Sequence, residues 1–398
     1  MTKKICAINA GSSSLKCQLF EMPEEKLIMK CLFEKIGQEH SSLTLTYDNQ
    51  VFKEEHTFNT HQDAISCLLQ LMIKLGIVNN LSEISGIGHR VAHGGEFFKA
   101  SAIVDDRALE EIEALGALAP SHNPVNAKGI RICRELLPNS LQVAVFDTAF
   151  HQTLEKEHFL YPIPYEYYKD FSIRKYGFHG TSHQYIYQVL KQQKAYKTVP
   201  LKVINCHLGN GCSLCAIKDG KSVNTSMGFT PLAGVMMGSR SGDIDVSILP
   251  FLQEKTNMTP QDMLQMLNQQ SGLLGISTVS NDIRDILALV EQGDEQACLA
   301  IEMFTNRIAQ TIASYIVDLG GVDVISFTAG IGENAAYIRE KIIQKLACFS
   351  IFVDKVANEK NKLFIHAAKS KVKIAIVPTN EELMIVKDTY ALLCNVDK

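Results

Sequence analysis

The sequence predicts an α/β protein of two domains built on one duplicated plan, and three observations lead there. Its 398 residues exceed what a single hydrophobic core usually serves. A pattern of strand, Gly-rich or Ser-rich turn, and strand near the N-terminus returns from Lys202 onward. Around both copies, short apolar runs alternate with segments of helical spacing, which is the signature of α/β domains, here with a cleft between them.

In order along the chain, Ile5 and Ala7 alternate into the turn Ala10-Gly11-Ser12-Ser13-Ser14. Alternation resumes at Leu15, Cys17 and Leu19 and turns again at Met22-Pro23-Glu24-Glu25, predicting a hairpin with a third strand following. The second copy reads as strand Lys202 to Cys206, turn His207-Leu208-Gly209-Asn210-Gly211, strand Cys212 to Ile217, turn Lys218 to Lys221 and a further short strand. Helical spacing marks His61 to Leu75, Arg107 to Leu118 and Ser182 to Gln192, and buried strands are expected at Ile84 to Arg90 and Leu141 to Phe146. Later helices are expected at Met263 to Asn268, Asn281 to Val290, Glu295 to Leu319, Glu333 to Leu346 and Glu381 to Leu393. Strands are expected at Val324 to Thr328, Ser350 to Asp354 and Lys373 to Val377. The domain boundary is placed near residue 150, with no Gly/Ser linker to mark it.

Composition narrows the function. With 46% hydrophobic and 21% charged residues the chain is globular, and its net charge of -4, with no long basic run, argues against a nucleic-acid partner. No leader and no stretch approaching about 18 apolar residues is seen, so neither export nor a membrane is expected. Eleven cysteines, an odd number scattered through apparently buried segments, fit reduced thiols in the cytoplasm better than a disulfide framework.

Two small-residue turns in equivalent places suggest a phosphate held from both sides, because glycine and serine let backbone N–H groups approach anions. Ser12, Ser14 and Lys16 add donors to the first, His207 and Asn210 to the second; the plainer reading is two ordinary hairpins. A P-loop pattern is absent. A third turn, Ala329-Gly330-Ile331-Gly332-Glu333-Asn334-Ala335, matches a dinucleotide-binding fingerprint with Asp354 as the ribose acid, which keeps a dinucleotide-dependent oxidoreductase as a rival. Too little chain follows it for a full dinucleotide fold. Cys206, His207, Cys212 and Cys215 resemble zinc ligands, but Cys212 and Cys215, three apart on one strand, face opposite ways.

Further polar clusters sit after strands or between glycines: His89 to Gly95, Phe146 to His151, Tyr176 to His183 and Met237 to Asp243. Each asks for a partner, either a ligand or a structural ion pair. With these residues in order, and with Ala7 to Lys16 and Pro378 to Glu382 beside them, the sequence closely resembles acetate and propionate kinases, within the superfamily of acetate and sugar kinases, heat-shock chaperones and actin. The resemblance implies two actin-like, ribonuclease H-like domains, 1–150 and 151–382, with a last helix 383–398 returning to the first, and a homodimer. It implies transfer of the γ-phosphoryl of ATP to acetate, giving acetyl phosphate and ADP, with Mg2+ or in its place Mn2+. By the same resemblance Asn9 and Glu381 hold the metal, Lys16 and His207, Leu208, Gly209, Asn210 and Gly211 meet the phosphates, and Asp282, Ile283, Arg284 and Gly330, Ile331, Gly332, Glu333 and Asn334 hold the nucleoside. Arg90 binds the carboxylate, Asp147 is the active-site acid, and His179 and Arg240 stabilise the transition state. A general-base role does not suit Asp147, because a carboxylic acid of pKa about 4 is already ionised at neutral pH; orienting an arginine or a metal-bound water suits it better.

Four positions depart from the family pattern. Ala92 stands where valine is common and Ser121 where leucine is usual, so the acyl pocket, walled also by Phe178 and Pro231, is expected to be roomier and to admit propionate. Ile283 replaces a frequent phenylalanine beside the adenine, and Ala233 a frequent glutamate, which leaves strict ATP preference open. A nucleotide-switched chaperone or filament protein of the same fold has no use for Arg90, Asp147, His179 and Arg240 together.

Overall fold

The computed structural model describes Thr2 to Val396. The chain forms two compact units, one of residues up to Phe150 together with those from Asn380 onward, the other His151 to Thr379. The last two residues of the predicted final helix, Asp397 and Lys398, lie outside the described residues.

In the first unit, β1 (Lys3–Ala10), β2 (Ser14–Met22), β3 (Lys26–Glu34), β4 (Ser42–Tyr47) and β5 (Gln50–Glu55) run as an antiparallel meander. On the other side of β1 lie β6 (Ile84–Val91) and β8 (Leu141–Phe146), both parallel to their neighbours, with the two-residue β7 (Ala102–Ile103) antiparallel at the edge; the order is β5-β4-β3-β2-β1-β6-β8-β7. The interior strand β8 is a nearly continuous apolar run, as a strand covered on both faces must be, whereas the edge strand β5 is exposed throughout and carries Lys53, Glu54 and Glu55.

The second unit repeats the plan. Strands β9 (Lys202–Leu208), β10 (Cys212–Lys218) and β11 (Lys221–Thr225) are antiparallel, β12 (Val324–Thr328) and β13 (Lys373–Ile376) continue in parallel, and the order is β11-β10-β9-β12-β13. Without β4, β5 and β7 the first sheet reads β3-β2-β1-β6-β8, the same topology. The long helix Glu295–Leu319 packs Phe304, Ile308 and Ile312 into this unit's core; Asp294 caps its start by accepting from the Ala297 N–H, and Gly320 at φ +60° ends it.

Close backbone approach explains two glycines of β6. The C-terminal helix Glu381–Val396 lies so near that a Cβ on Gly88 would meet Ile385 Cγ2 at 2.5 Å, and one on Gly86 would meet Thr389 Cγ2 at 3.1 Å. Asn380 starts that helix by accepting from the Leu383 N–H, which puts Glu381 in its first turn.

Two expectations need correction, and one helix was missed. Ser350 to Asp354 forms no strand; only Val353 bridges to His366, and Asp354 instead caps the short helix Lys355–Glu359, its carboxylate accepting from the Ala357 N–H. The rival dinucleotide reading loses its ribose acid with it. The helix expected from Glu333 to Leu346 is two, Ala329–Asn334 and Ala336–Lys345, separated at Ala335. The helix Asn123–Leu136 went unpredicted because Pro124, Asn126 and Gly129 interrupt its apolar stripe. Gly129 is there because the helix crosses β1 closely, a Cβ on it falling 3.3 Å from Ala10 Cβ. No helix of the described residues is long and apolar enough to cross a membrane.

Burial also sets a pH dependence. His89 donates from Nε2 to Gln142 Oε1 at 2.8 Å and His151 is wholly enclosed; burial pushes both down to about 4. The unfolded histidines titrate near 6.5, so between about 6.5 and 4 the unfolded chain binds more protons. Stability is therefore fully present above that window and declines as pH falls through it, by at most about 1.4 kcal/mol per pH unit for each such histidine. The urea midpoint should drop between pH 7.5 and 5, and His89→Gln, which retains a donor, should flatten that slope by up to one proton. An unchanged slope would refute the assignment.

Candidate active site

In the first unit the site grows from the carboxyl ends of parallel strands, where α/β sheets place their ligand loops. Asn9 is the penultimate residue of β1, Arg90 the penultimate residue of β6, and Asp147 directly follows β8, its N–H bonded to Val91 O. The Asp147 side chain is only 2% exposed and accepts both Nε (3.0 Å) and Nη2 (2.6 Å) of Arg90, a bidentate fork. The remaining Arg90 nitrogen, Nη1, reaches Asn9 Oδ1 at 3.3 Å. Asp147 holds Arg90 charged, above the ordinary arginine range.

Lys16 is exposed on β2 directly opposite Asn9. Glu381, half-buried at the start of the last helix, is pushed up to about 7, mainly by burial and further by Asp147 and Glu382, against the pull of Arg90 and Lys16. The Gly11 to Ser14 turn is closed by Gly11 N–H to Ser14 O and pinned by His61 Nε2 against Gly11 O; Ser12 is exposed and Ser14 half-buried. Ala92 is buried two residues beyond Arg90, while Ser121 is exposed just ahead of Asn123.

Two residues that sequence reasoning missed hold this edge together. Asn126 accepts from the Ala92 N–H and donates to Ala10 O, tying β6 to β1; Asn123 accepts from the His93 N–H and donates to His93 O and Ile112 O. The one signal in the sequence was a pair of asparagines three residues apart, Asn123 and Asn126, around Pro124, and their burial shows only in the structure.

In the second unit, His179, Arg240 and the Gly209 to Gly211 turn converge; His207 and Leu208, expected in that turn, instead end β9 and pair with β10. A Cβ on Gly211 would lie 3.2 Å from Arg240 Nη1 and 3.6 Å from His179 Cε1. His179 sits at φ +57°, a left-handed conformation costing about 1–3 kcal/mol for a side chain of its kind, directly before the helix Gly180–Lys191. Its ring stacks on His207 with centroids 4.1 Å apart. Arg240 bonds to Pro231 O at 3.3 Å and Met237 Sδ at 3.8 Å; no carboxylate among the described residues pairs with it, and burial lowers its pKa. Phe178, 6% exposed, and the half-buried Pro231 flank these two residues in sequence and contact.

A cavity of about 520 Å³ joins three segments named from the sequence: Gly209 and Asn210, Asp282 to Arg284, and Gly330, Ile331 and Asn334. Asn281, Leu287 and Ala335, not anticipated, complete its lining. Asp282 caps the helix Ile283–Glu291 through the Arg284 N–H and holds the Arg284 side chain, contacts that lower its carboxyl to about 2. The Glu333 carboxylate is engaged with the backbone of its own unit. Its Oε1 accepts from the N–H of Ala329, a residue at φ +64°, and from the N–H of Thr379, clamping the start of the helix after β12 to the segment after β13.

The chain is similar to known proteins along nearly its whole length. The Acetokinase family model matches residues 4–387. A propionate kinase of Citrobacter rodentium is 52% identical, covering 98% of this chain and 97% of its own, and an acetate kinase of Bacillus cereus is 49% identical over 98% of each. The crystal structure of a propionate kinase from Francisella tularensis superposes with a TM-score of 0.91 at 41% identity, covering 98% of this chain and 99% of that one. On its motifs, its fold and this match along nearly its whole length, the chain belongs to the acetokinase family.

Proposed function

We propose that the protein catalyses reversible transfer of the γ-phosphoryl of ATP to acetate, with propionate as a second substrate. The observation that carries the reading is Arg240: a half-buried guanidinium with no carboxylate partner among the described residues, beside an imidazole and a glycine turn, is a cation waiting for an anion. In the forward direction a carboxylate oxygen attacks the γ-phosphorus and the bond to the β,γ-bridging oxygen breaks, leaving ADP. The acid is ionised at neutral pH, so no proton moves and no general base is needed.

Arg90, gripped along one edge by Asp147, presents Nη1 for the substrate carboxylate, and Asp147 acts by aiming it. His179 and Arg240 meet the phosphoryl in flight, and the 209–210, 282–284 and 330–334 segments take the nucleoside. Asn9 and Glu381 supply only oxygen donors, and no cluster of three or more metal-binding side chains exists among the described residues. That sparse set fits Mg2+, which keeps several waters and binds through one or two protein oxygens plus phosphates. When bound it would neutralise phosphate charge. The reading includes a homodimer, for which the exposed apolar Val246, Ile248 and Phe251 offer a surface, and a reducing cytoplasm, in keeping with eleven free cysteines.

Hydroxylamine trapping with Mg-ATP should yield acyl hydroxamate from acetate and comparably from propionate, and little from butyrate. Ala92→Val should lower the propionate-to-acetate ratio of kcat/KM by roughly tenfold or more, the worth of a methylene in an apolar pocket. Acetate alone as substrate would refute the enlarged pocket, and no product from any acid would refute the activity. Asp147→Asn should lower kcat roughly 100-fold, the scale of a lost transition-state donor. Because both residues act through one fork, Arg90→Lys combined with Asp147→Asn should be little worse than the more severe single variant. A full-rate Asp147→Asn enzyme would overturn the positioning role.

A further inference from the structure

Behind His179 runs a chain of buried neutral groups that the activity does not use directly. Ser213 on β10 faces His207 across the hairpin, and Ser326 on β12 faces Asn205 on β9. Ser326 Oγ donates to Asn205 Oδ1 at 2.8 Å, Asn205 Nδ2 lies 2.8 Å from His183 Nδ1, His183 Nε2 lies 2.8 Å from Ser213 Oγ, and Ser213 Oγ lies 2.9 Å from His179 Nδ1. Ser326, Asn205, His183 and Ser213 are all 0% exposed.

Proton counting along this chain fixes His183 and leaves Ser213 a proton to give. An amide N–H can only donate, so His183 Nδ1 is the acceptor and carries no proton. His183 is kept neutral by burial and by His151 and His207 nearby, so its single proton is on Nε2 and is given to Ser213 Oγ. Ser213 Oγ, accepting there, still has its one hydroxyl proton to give, and His179 Nδ1 at 2.9 Å takes it when the imidazole carries its own proton on Nε2.

We propose that Asn205, His183 and Ser213 are positioning residues that lock His179 as the Nε2–H tautomer, so that it meets the transferring phosphoryl as a fixed donor. The inference rests on the reading of His179 given above. It accounts for three features that packing alone leaves unexplained: an asparagine inside the apolar strand Val203-Ile204-Asn205-Cys206, a serine opposite His207 on β10, and a second histidine one turn along the helix from the first. A donor that is pre-aimed and already protonated needs no reorganisation as charge moves onto the phosphoryl oxygens. His207 is held in a parallel way, its Nδ1 2.8 Å from Ser182 Oγ, which in turn meets Thr379 Oγ1 at 2.9 Å.

The direct test is two-bond 1H–15N correlation on histidine-labelled full-length protein without ligands, with His179 assigned by loss of its signals in His179→Gln. The expected pattern is a proton-bearing Nε2 and a bare, hydrogen-bonded Nδ1. Ser213→Ala should shift that Nδ1 resonance and lower kcat roughly 10–100-fold, the scale for partners that orient an imidazole, with KM for acetate and ATP within about twofold. Ser213→Thr, which keeps the hydroxyl, should restore both. A proton found on His179 Nδ1 in the unmodified protein overturns the proposal, as does a Ser213→Ala enzyme with unchanged shift and full kcat. Full activity in His179→Ala would overturn the role of His179 itself, whereas the tautomer, read in the resting protein, decides the relay independently.

Discussion

A carboxylate 2% exposed cannot stand alone, and the pairing of Asp147 with Arg90 is the constraint around which the first unit's site is arranged. The fork uses Nε and Nη2, so it fixes the plane of the guanidinium as well as its position. That plane leaves Nη1 as the one donor group directed at Asn9, and it needs the ends of β1, β6 and β8 to lie side by side. The parallel half of the sheet supplies this, and Asn126 keeps the ends of β1 and β6 in register by bonding to both. Removing either partner of such a buried pair typically costs about 3–5 kcal/mol because the other charge is stranded. The arrangement is thus a stability element of the unit as well as a functional one, and activity lost on truncating Arg90 to alanine would mix the two.

At Arg240 in the second unit no carboxylate of the described residues opposes the charge. This arginine has a carbonyl and a thioether for neighbours, and the unit's histidines are oriented by serine, threonine and asparagine. A carboxylate in any of these places would neutralise Arg240 or draw a proton onto an imidazole, and either would weaken the field felt by an incoming phosphate. Neutral partners keep the geometry and leave the positive charge uncompensated. The cost is backbone strain: His179 and Ala329 both occupy left-handed conformations, each at a strand-to-helix or turn-to-helix junction that aims the following helix.

Much of this was legible in the sequence, for a physical reason. Strands covered on both faces, such as Leu141–Phe146 and Val324–Thr328, are mostly apolar, and the helix Glu295–Leu319 has a cap at each end, so their limits could be read directly. The duplication was visible because turn chemistry is local: small residues must recur wherever a hairpin is that tight. The helix Asn123–Leu136 escaped because its buried face carries Asn123, Asn126 and Gly129, chosen for what they touch on β1 and β6 rather than for helical preference. Asp354 misled because an aspartate after an apolar run serves equally as a strand end or a helix cap, and only the neighbouring backbone decides.

Site residues divide in the same way. Arginine, histidine and aspartate between glycines announce themselves, since burying them demands a partner. Asn205, Ser213 and Thr379 do not, because a short uncharged polar side chain in or beside a strand draws no notice until its partner is known. Their importance comes from direction, not from charge: a hydroxyl has one proton, and where two imidazoles share it, giving that proton to one settles the tautomer of the other. Sequence patterns record which groups are costly to bury, whereas the order of donors along a hydrogen-bonded chain exists only once the strands are paired. The orientation of the functional histidine therefore depends on the register of β9 against β10 and β12, and a slip of one residue in either pairing would turn Asn205 or Ser213 to the opposite face and release it.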